Sequence, residues 1–316
     1  MPGVGMMSRC TTAYGGSLRD LITRIEIEEV LIGGGLTVAR IVAHTPSELR
    51  YIGLDAGVRH GVDLYEVGGV ARLSEIVVDN PAAADLLITP GTIATGGFCD
   101  RIISHPVLVP GGGAAIAMTF ASAPLTETGD DVLFAGPYGS PPSVQRVISA
   151  HITANSGWRT DTQDLVDRGI SDVRMRCDPN ADDRGLHALI AAHDTHIAAH
   201  IGAFPLGEEQ CGVVFGMRGV PVAMHVVSRP DVFAEIYPKL LAGALIDALS
   251  YADGASMSPG VVSVFMDAVA QSKPAEVAPA EIGTCVVLGH DDGIVGTGLI
   301  RDEHVVCLSA FGSGIR

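Results

Sequence analysis

Apolar and polar residues alternate over short stretches in the first part of the chain and follow a helical period over longer stretches in the second. From residue 25 to about residue 127, runs such as 36–42 and 86–89 end at Gly or Pro turns, which is typical of antiparallel strands. After residue 143, apolar residues recur at helical spacing between further strands. The pattern predicts an α+β protein with an N-terminal antiparallel β sandwich-like or barrel-like half, followed by a mixed helix-and-strand half.

A Pro-, Gly- and Asp-rich stretch separates the two halves. We expect a flexible N-terminus (1–17), a β-rich half (18–127), a connector (128–143) and an α+β half (144–316). The predicted helices of the second half cover residues 144–155, 160–168, 185–203, 231–251 and 261–270. Residues 211–215 and 220–227 should pair as a hairpin around the turn 217–219. We expect the two halves to pack together as one unit.

Charge and composition narrow the range of partners and compartments. The net charge of −16 argues against nucleic acid and anionic membranes as general partners. No uninterrupted apolar run reaches about 18 residues, and the first residues lack the apolar core of a signal peptide. Six scattered cysteines without a CxxC pair are typical of a reduced, cytoplasmic protein. So apolar a chain is compatible with a homodimer, although the sequence locates no interface.

Three histidines share the apolar face of the predicted helix 185–203. His193, His196 and His200 are spaced i, i+3 and i+7, so their side chains lie on successive turns, and Ile197 falls on the same face. Inward-facing imidazoles need partners, because a buried polar group without a hydrogen bond costs about 1–3 kcal/mol. This stripe is therefore the first candidate for a functional site.

Three interpretations of the histidine stripe are open. Neutral imidazoles suit a divalent metal such as Zn or Fe, with His193, His196 and His200 as ligands and His196 as a catalytic residue. His196 and His200 form the familiar i, i+4 pair, but Ile197 stands where a zinc protease carries its glutamate. Alternatively, each histidine bonds a carbonyl or carboxylate in the core, or part-protonated histidines form an anion pocket.

Polar residues at Gly-rich turns and on later elements extend the candidate site. Asp100 and Arg101 follow a Gly-rich turn, where the arginine fork could clamp a carboxylate or phosphate or form an internal ion pair. His225 could complete a ligand set, and Gln210 could orient a ligand. Lys239 is a candidate base, although solvent exposure is the more ordinary fate of such a side chain. The candidate substrate-binding residues are thus Arg101, Gln210 and His225, and Asp100, Arg101 and Lys239 are candidate catalytic residues.

Several short segments follow one another in the order seen in a known family. They are Leu36-Thr37-Val38, Leu54-Asp55-Ala56, Ile76-Val77-Val78-Asp79-Asn80, Gly96-Gly97-Phe98-Cys99-Asp100-Arg101, Gln210 with Gly212, residues 222–227, Lys239-Leu240-Leu241 and Asp247-Ala248-Leu249. On these segments the chain resembles the ARG and rhodanese-phosphatase-associated domain family from about residue 36 to residue 311. The last two segments are the most specific. The family's association with ADP-ribosylglycohydrolase and rhodanese/phosphatase domains implies nucleotide or ADP-ribose metabolism by analogy.

The chain departs from the family pattern at several positions. Only Arg101 remains of a Lys-Gln-Asn-Arg turn, and residues 119–122 replace a Cys-Val-Glu motif. His225 stands where the family has Asp, and Cys307 stands where it has His. If the family acts through those groups, this member is inactive or repurposed.

Two functional hypotheses follow from these residues. The first is an enzyme that acts on a small, phosphorylated or nucleotide-like molecule by metal-assisted hydrolysis or group transfer. The second is a non-catalytic ligand-binding or scaffold protein that has lost the family's reactive residues. The histidine stripe favours the enzyme, and the missing Cys-Val-Glu motif favours the binding protein.

Overall fold

The protein is an α+β protein, as the sequence predicts. Its computed structural model describes residues 4–45, 47–67, 73–126, 132–155, 162–180, 185–249, 251, 255–279, 281–289 and 291–313. In chain order the elements are α1 (Val4–Arg24), β1 (Ile25–Gly33), β2 (Leu36–Ala43), β3 (Ile52–Gly53), α2 (Leu54–Arg59), β4 (Asp63–Glu66), β5 (Glu75–Asn80), β6 (Leu86–Ile88), β7 (Thr92–Gly96), β8 (Arg101–Ile103), β9 (Val107–Val109), β10 (Gly113–Ala121), β11 (Val132–Gly139), α3 (Pro142–Ala154), α4 (Gln163–Cys177), α5 (Leu186–Ala191), α6 (Asp194–Ile201), β12 (Gln210–Met217), β13 (Val220–Val227), α7 (Pro230–Ala248), α8 (Pro259–Gln271), β14 (Lys273–Pro279), β15 (Thr284–Gly289), β16 (Val295–Arg301) and β17 (His304–Phe311).

Six strands close into a small barrel in the order β10-β5-β4-β11-β7-β8. Alternate residues of these strands, among them Leu64, Ile76 and Val78, are buried in one aliphatic core, as the strand period of two requires. A short sheet of β3, β6 and β9 lies beside the barrel, and its Leu86 and Val109 join the same core. The barrel-like architecture expected for the first half is confirmed.

The expected connector contains a barrel strand. The sequence predicts irregular structure over residues 128–143, whereas Val132–Gly139 forms β11 and pairs with β4 and β7. Gly136 and Pro137 lie inside this strand and are ordinarily turn residues. For this reason the sequence pattern does not predict β11. Pro137 is tolerated because the ladder with β7 is irregular between Ala135 and Gly139.

An eight-stranded antiparallel sheet combines strands from both ends of the chain. Its order is β1-β2-β12-β13-β17-β16-β15-β14. One face packs against α3 and α7, where Val213, Phe215 and Leu245 belong to the largest hydrophobic core. The opposite face packs against α1 and α8, around Met224 and Val226. The sheet is therefore buried on both sides, and neither end of the sequence forms it alone.

The predicted hairpin of β12 and β13 is confirmed. The two strands pair antiparallel from Gly212 opposite Val226 to Met217 opposite Val220. Arg218 and Gly219 make the turn with φ of 54° and 80°, the left-handed conformation of a type I′ turn, whose twist matches the strands. This register places His225 between β12 and β17 in the middle of the sheet.

Helix α1 is longer than the sequence pattern indicates. A flexible segment was expected up to residue 17, but the helix begins at Val4. Leu18 and Ile22 are buried against the sheet, so tertiary packing outweighs the low helix propensity of the Gly15-Gly16 pair. Among the described residues, no helix is both long and apolar enough to cross a membrane.

Candidate functional site

The histidine stripe lies on two short helices rather than on one. The helical conformation is interrupted at Ala192 and His193, between α5 and α6. His193 Nδ1 donates to the Leu189 carbonyl and His200 Nδ1 to the His196 carbonyl, both at 2.9 Å. Two of the three imidazoles are therefore bonded to backbone carbonyls, which agrees for His193 and His200 with the core interpretation of the sequence.

The three histidines do not form a metal ligand set in the described residues. The rings of His196 and His200 stack with centroids 4.2 Å apart, and His196 Nε2 is buried without a hydrogen-bond partner. The pKa of His196 is lowered, mainly by burial and to a smaller extent by the neighbouring His200 and His193. Across the described ranges no group of three or more His, Cys, Asp or Glu is placed to hold a metal ion. The predicted metal site is therefore supported by the sequence only.

Arg101 is an internal ion-pair partner inside the barrel. Its side chain is 0% exposed and donates from Nη2 to both carboxylate oxygens of Glu66, at 2.8 and 3.1 Å. Its Nη1 donates to the Cys99 carbonyl at 2.8 Å and also contacts the Cys99 sulfur. Burial raises the pKa of Cys99 to about 11, so this thiol is not a nucleophile at neutral pH. Asp100 faces outward and accepts from the Gly96 amide at 3.1 Å.

Gln210 and His225 are embedded in the large sheet. Gln210 accepts from the Gly207 amide and donates to the Gly212 carbonyl, which holds the irregular start of β12. His225 shares a 3.0 Å hydrogen bond with the Ser309 hydroxyl, and burial lowers its pKa to about 3. Both polar atoms of the Gln210 side chain are thus bonded within the protein, whereas His225 Nε2 is buried without a partner in the described residues.

Lys239 forms an ion pair with α2. Its Nζ lies 2.6 Å from Asp55 Oδ1, and the pair borders a narrow crevice beside the neighbouring Glu235 on α7. Among the described residues, no side-chain hydrogen bond or ion pair joins Lys239 to the histidine stripe, to Arg101 or to Gln210. The candidate residues chosen from sequence therefore belong to separate parts of the molecule.

A different cluster surrounds a cavity of about 350 Å³ where α3, α4 and β13 meet. We call it the arginine pocket. The polar and aromatic residues that line it include Ser143, Arg146, Asp172, Arg176 and Tyr251. Ser143 and Arg146 lie in the first turns of α3, which begins at Pro142, and Arg176 lies in the last turn of α4. The two helices pack together and so place both guanidinium groups beside one helix N-terminus.

A buried carboxylate orients one side of the arginine pocket. Asp247 of α7 is 1% exposed and accepts from the Ser143 amide at 2.7 Å and the Ser143 hydroxyl at 2.6 Å. It also accepts from Arg176 Nη2 at 3.0 Å, and the same guanidinium donates to Ser143 Oγ at 3.2 Å. Asp247 thus supplies the cap that Pro141, at the N-cap position of α3, cannot.

Burial and hydrogen bonding act in opposite directions on Asp247. Desolvation raises the pKa of its carboxyl group, while the donors on Ser143 and Arg176 oppose that rise. Desolvation is the larger effect, so the pKa of the Asp247 carboxyl group is raised overall. The hydrogen bonds of the Arg176 guanidinium to Asp247 and to Ser143 Oγ hold it in one orientation, with only part of that side chain exposed.

Arg146 is the unpaired cation of the arginine pocket. Within the described part of the chain it has no ion pair or hydrogen bond, and its Nε is buried without a partner. Arg176 Nε is likewise buried and unpartnered. Arg40 and Arg101 also have an unpartnered Nε, so the distinctive feature of Arg146 is that its whole guanidinium group lacks a partner in the described part of the chain.

The sequence contains a weak signal for this site. Pro141-Pro142 marks a helix start, and Ser143 and Arg146 are spaced i, i+3 on its first turns. Asp247 lies in one of the two most specific segments of the family resemblance. No sequence rule joins these residues to Arg176, because the contacts to Asp247 span 104 residues from Ser143 and 71 from Arg176.

Comparison with known proteins identifies a family and no closer relative. No curated protein and no solved structure matches the chain. The model of one family matches residues 24–119 and 134–311, which include every element from β1 to β17 except parts of β10 and β11. The description of that family refers to its association with the rhodanese-phosphatase superfamily. The chain belongs to the ARG and Rhodanese-Phosphatase-superfamily-associated Protein domain family.

Proposed function

We propose that the protein binds a small phosphate-bearing molecule in the arginine pocket. One observation carries the proposal: Arg146, without a partner in the described residues, and Arg176 border the same cavity at the start of α3. The chain has a net charge of −16, so two arginines beside one helix N-terminus form a local positive patch in an acidic protein. A local positive patch of this kind is typical of an anion site.

The chemistry of the pocket suits phosphate better than a lone carboxylate. A guanidinium fork matches two oxygens of a phosphate. The first amide of α3 is already bonded to Asp247, so the arginines supply the positive charge. The Ser143 hydroxyl, already polarised by Arg176 and Asp247, lies beside them. Asp172 borders the cavity and Asp247 is hydrogen-bonded to Ser143, so a carboxyl group lies on each side of the phosphate. Binding therefore depends on Arg146, the guanidinium that has no partner among the described residues.

An aromatic ring supports a nucleotide-like ligand. Tyr251 lines the same cavity, and the Arg218 guanidinium lies 6.0 Å from the centroid of its ring. A tyrosine face stacks on a nucleobase, and the cavity volume lies in the range of small-molecule sites. A nucleoside monophosphate would place its phosphate at the arginines and its base against Tyr251.

A catalytic role for the same pocket is the second candidate function. The observation that favours it is the 2.6 Å hydrogen bond from the Ser143 hydroxyl to buried Asp247, because such a carboxylate is an acceptor for a hydroxyl proton. Metal-assisted hydrolysis by His196 with Asp100 and Arg101 remains a proposal that the sequence alone supports. In a turnover assay with phosphate esters, Ser143→Ala should abolish any activity found and leave phosphate binding detectable.

The binding proposal is tested by thermal denaturation with inorganic phosphate, AMP and adenosine as probes. Ligand that binds only the folded state raises its stability by about 2.7 kcal/mol at a hundredfold excess over Kd. We expect AMP and phosphate to raise the melting temperature of the wild type and to raise that of Arg146→Gln by no more than about half as much. The matched control is Arg168→Gln, since Arg168 is exposed on α4 outside the pocket. Equal shifts in both variants, or none in the wild type, would contradict the proposal.

A further inference from the structure

A second cavity lies between the barrel and the far end of the large sheet. Its volume is about 290 Å³. His105, in the connection from β8 to β9, and Met118 of β10 border it on the barrel side, and Ile152 of α3 forms another wall. Cys285 and Thr297, on β15 and β16, border it on the sheet side. We call it the His105 cavity.

The hydrogen bonds of His105 fix which ring nitrogen is free. The Ser104 hydroxyl donates to the Met118 carbonyl at 2.9 Å, so its oxygen accepts from His105 Nδ1 at 2.8 Å. Nε2 then carries the lone pair, and it has no partner among the described residues. Burial lowers the pKa of His105 to about 4, which keeps the ring neutral at pH 7. His105 thus offers one uncharged acceptor.

Thr297 borders the His105 cavity from the sheet side. The residue is 1% exposed, and its Oγ1 has no hydrogen-bond partner in the described structure. Ser309, its cross-strand neighbour, is already bonded to His225. A buried hydroxyl without a partner costs about 1–3 kcal/mol, so a cavity occupant that bonded it would be stabilised by that contact.

The rest of the lining excludes a charged occupant. Ile152, Val277 and Val287 are aliphatic, and no Asp, Glu, Lys or Arg of the described residues borders the cavity. Burial raises the pKa of Cys285 to about 12, so its thiol is neutral as well. A charged group moved into such surroundings without a counterion would lose its hydration uncompensated. The occupant must be neutral and mainly apolar.

We propose that the His105 cavity binds a small neutral ring compound that carries one hydroxyl group. The hydroxyl would donate to His105 Nε2 and accept from the Thr297 hydroxyl, and the ring would pack against Ile152 and Val287. The volume is ample, since an apolar protein cavity of about 150 Å³ already accommodates benzene. This site is distinct from the arginine pocket in both its residues and its charge.

The probes are 4-fluorophenol and 4-fluorotoluene, followed by ¹⁹F NMR titration. The two molecules have the same shape and differ by a hydroxyl in place of a methyl group. A site that pairs with a hydroxyl discriminates against an analogue without it, because its own polar groups stay unpaired. We expect the wild type to bind 4-fluorophenol at least tenfold more tightly. Equal affinities, or no binding of the phenol at millimolar concentration, would overturn the proposal.

Three variants assign any binding to this cavity. His105→Phe and Thr297→Val preserve shape and remove the acceptor and the hydroxyl, so each should weaken 4-fluorophenol binding about tenfold without weakening 4-fluorotoluene binding. Ile152→Trp should fill the cavity and abolish binding of both probes. Circular dichroism and the melting temperature check that each variant is folded. Unchanged 4-fluorophenol affinity in folded Ile152→Trp would place the bound probe elsewhere and overturn the assignment.

Discussion

At the residue scale, the barrel interior contains a complete ion pair. Arg101 and Glu66 are both fully buried and doubly hydrogen-bonded. Gly97 lies so close that a Cβ there would stand 2.7 Å from Glu66 Oε1, and the Phe98 amide donates to the same oxygen. The pair therefore fixes the conformation of the β7–β8 turn, which the sequence suggested as a ligand clamp.

The structural role of Arg101 predicts an asymmetric response to mutation. Arg101→Met leaves Glu66 buried without a counterion and should lower the free energy of unfolding by about 3–5 kcal/mol. The double variant Arg101→Met/Glu66→Leu removes both charges and should recover most of that loss. Urea denaturation of the two variants measures both values. A double variant as unstable as the single one would contradict the ion-pair account.

Two histidines with lowered pKa values, the buried His225 and the half-buried His105, predict a loss of stability in acid. The folded pKa is about 3 for His225 and about 4 for His105, against an ordinary value of 6.5. As the pH falls below about 6.5, these histidines bind protons in the unfolded chain but not in the folded chain. Stability is thus complete above pH 6.5 and declines as the pH falls toward 4 and then 3.

The size of this effect can be assigned to one histidine. At pH 5 each of these histidines should cost about 2 kcal/mol of folding free energy relative to pH 7. His225→Asn removes one titrating group. Between pH 7 and pH 5, the unfolding free energy of this variant should therefore decrease by about 2 kcal/mol less than that of the wild type. Denaturant titrations at the two pH values provide the comparison. An identical pH dependence in the variant would show that His225 does not titrate as described.

At the element scale, close packing of α7 on β11 assembles the arginine pocket. A Cβ on Gly243 of α7 would lie 2.6 Å from the Gly139 carbonyl at the end of β11. Asp247 lies one turn further along the same face of α7 and so reaches Ser143, four residues after Gly139. The glycine contact brings the carboxylate to the start of α3.

This contact reverses the usual effect of a helix glycine. Gly→Ala inside a helix ordinarily stabilises by up to about 1 kcal/mol, but Gly243→Ala should destabilise by about 1–3 kcal/mol because its methyl group meets backbone atoms. The matched control is Gly169→Ala in α4, where the nearest atom to the new Cβ is a Val147 methyl at 3.6 Å. That variant should be stabilised. Chemical denaturation that ranked the two variants in the opposite order would contradict the described packing.

Local sequence rules predict some elements and miss others for identifiable reasons. The hairpin at Arg218-Gly219 and the start of α7 at Pro230 follow from turn and capping preferences that act over a few residues. These local preferences do not predict strand β11, because Gly136 and Pro137 are held in the strand by the surrounding barrel. The predicted histidine helix breaks at His193, a detail that hydrophobic period alone does not encode.

At the scale of the whole molecule, the site depends on contacts that no local pattern contains. The family resemblance and the α+β class were within reach of the sequence, since they rest on the order of segments. The arginine pocket requires α3, α4 and α7 to meet over the large sheet. The candidate residues drawn from sequence, such as Arg101 and His225, were instead selected by chemistry alone, and burial in two different cores assigns them to structure.

The most direct measurement is isothermal titration of the full-length protein with AMP, beside Arg146→Gln and Arg168→Gln. The account predicts one AMP per chain for the wild type and for Arg168→Gln, and an affinity at least tenfold lower for Arg146→Gln, because the unpaired guanidinium is the main electrostatic contact. Inorganic phosphate should compete for the same site. AMP binding of equal strength in Arg146→Gln, or no heat of binding in the wild type, would contradict the central claim.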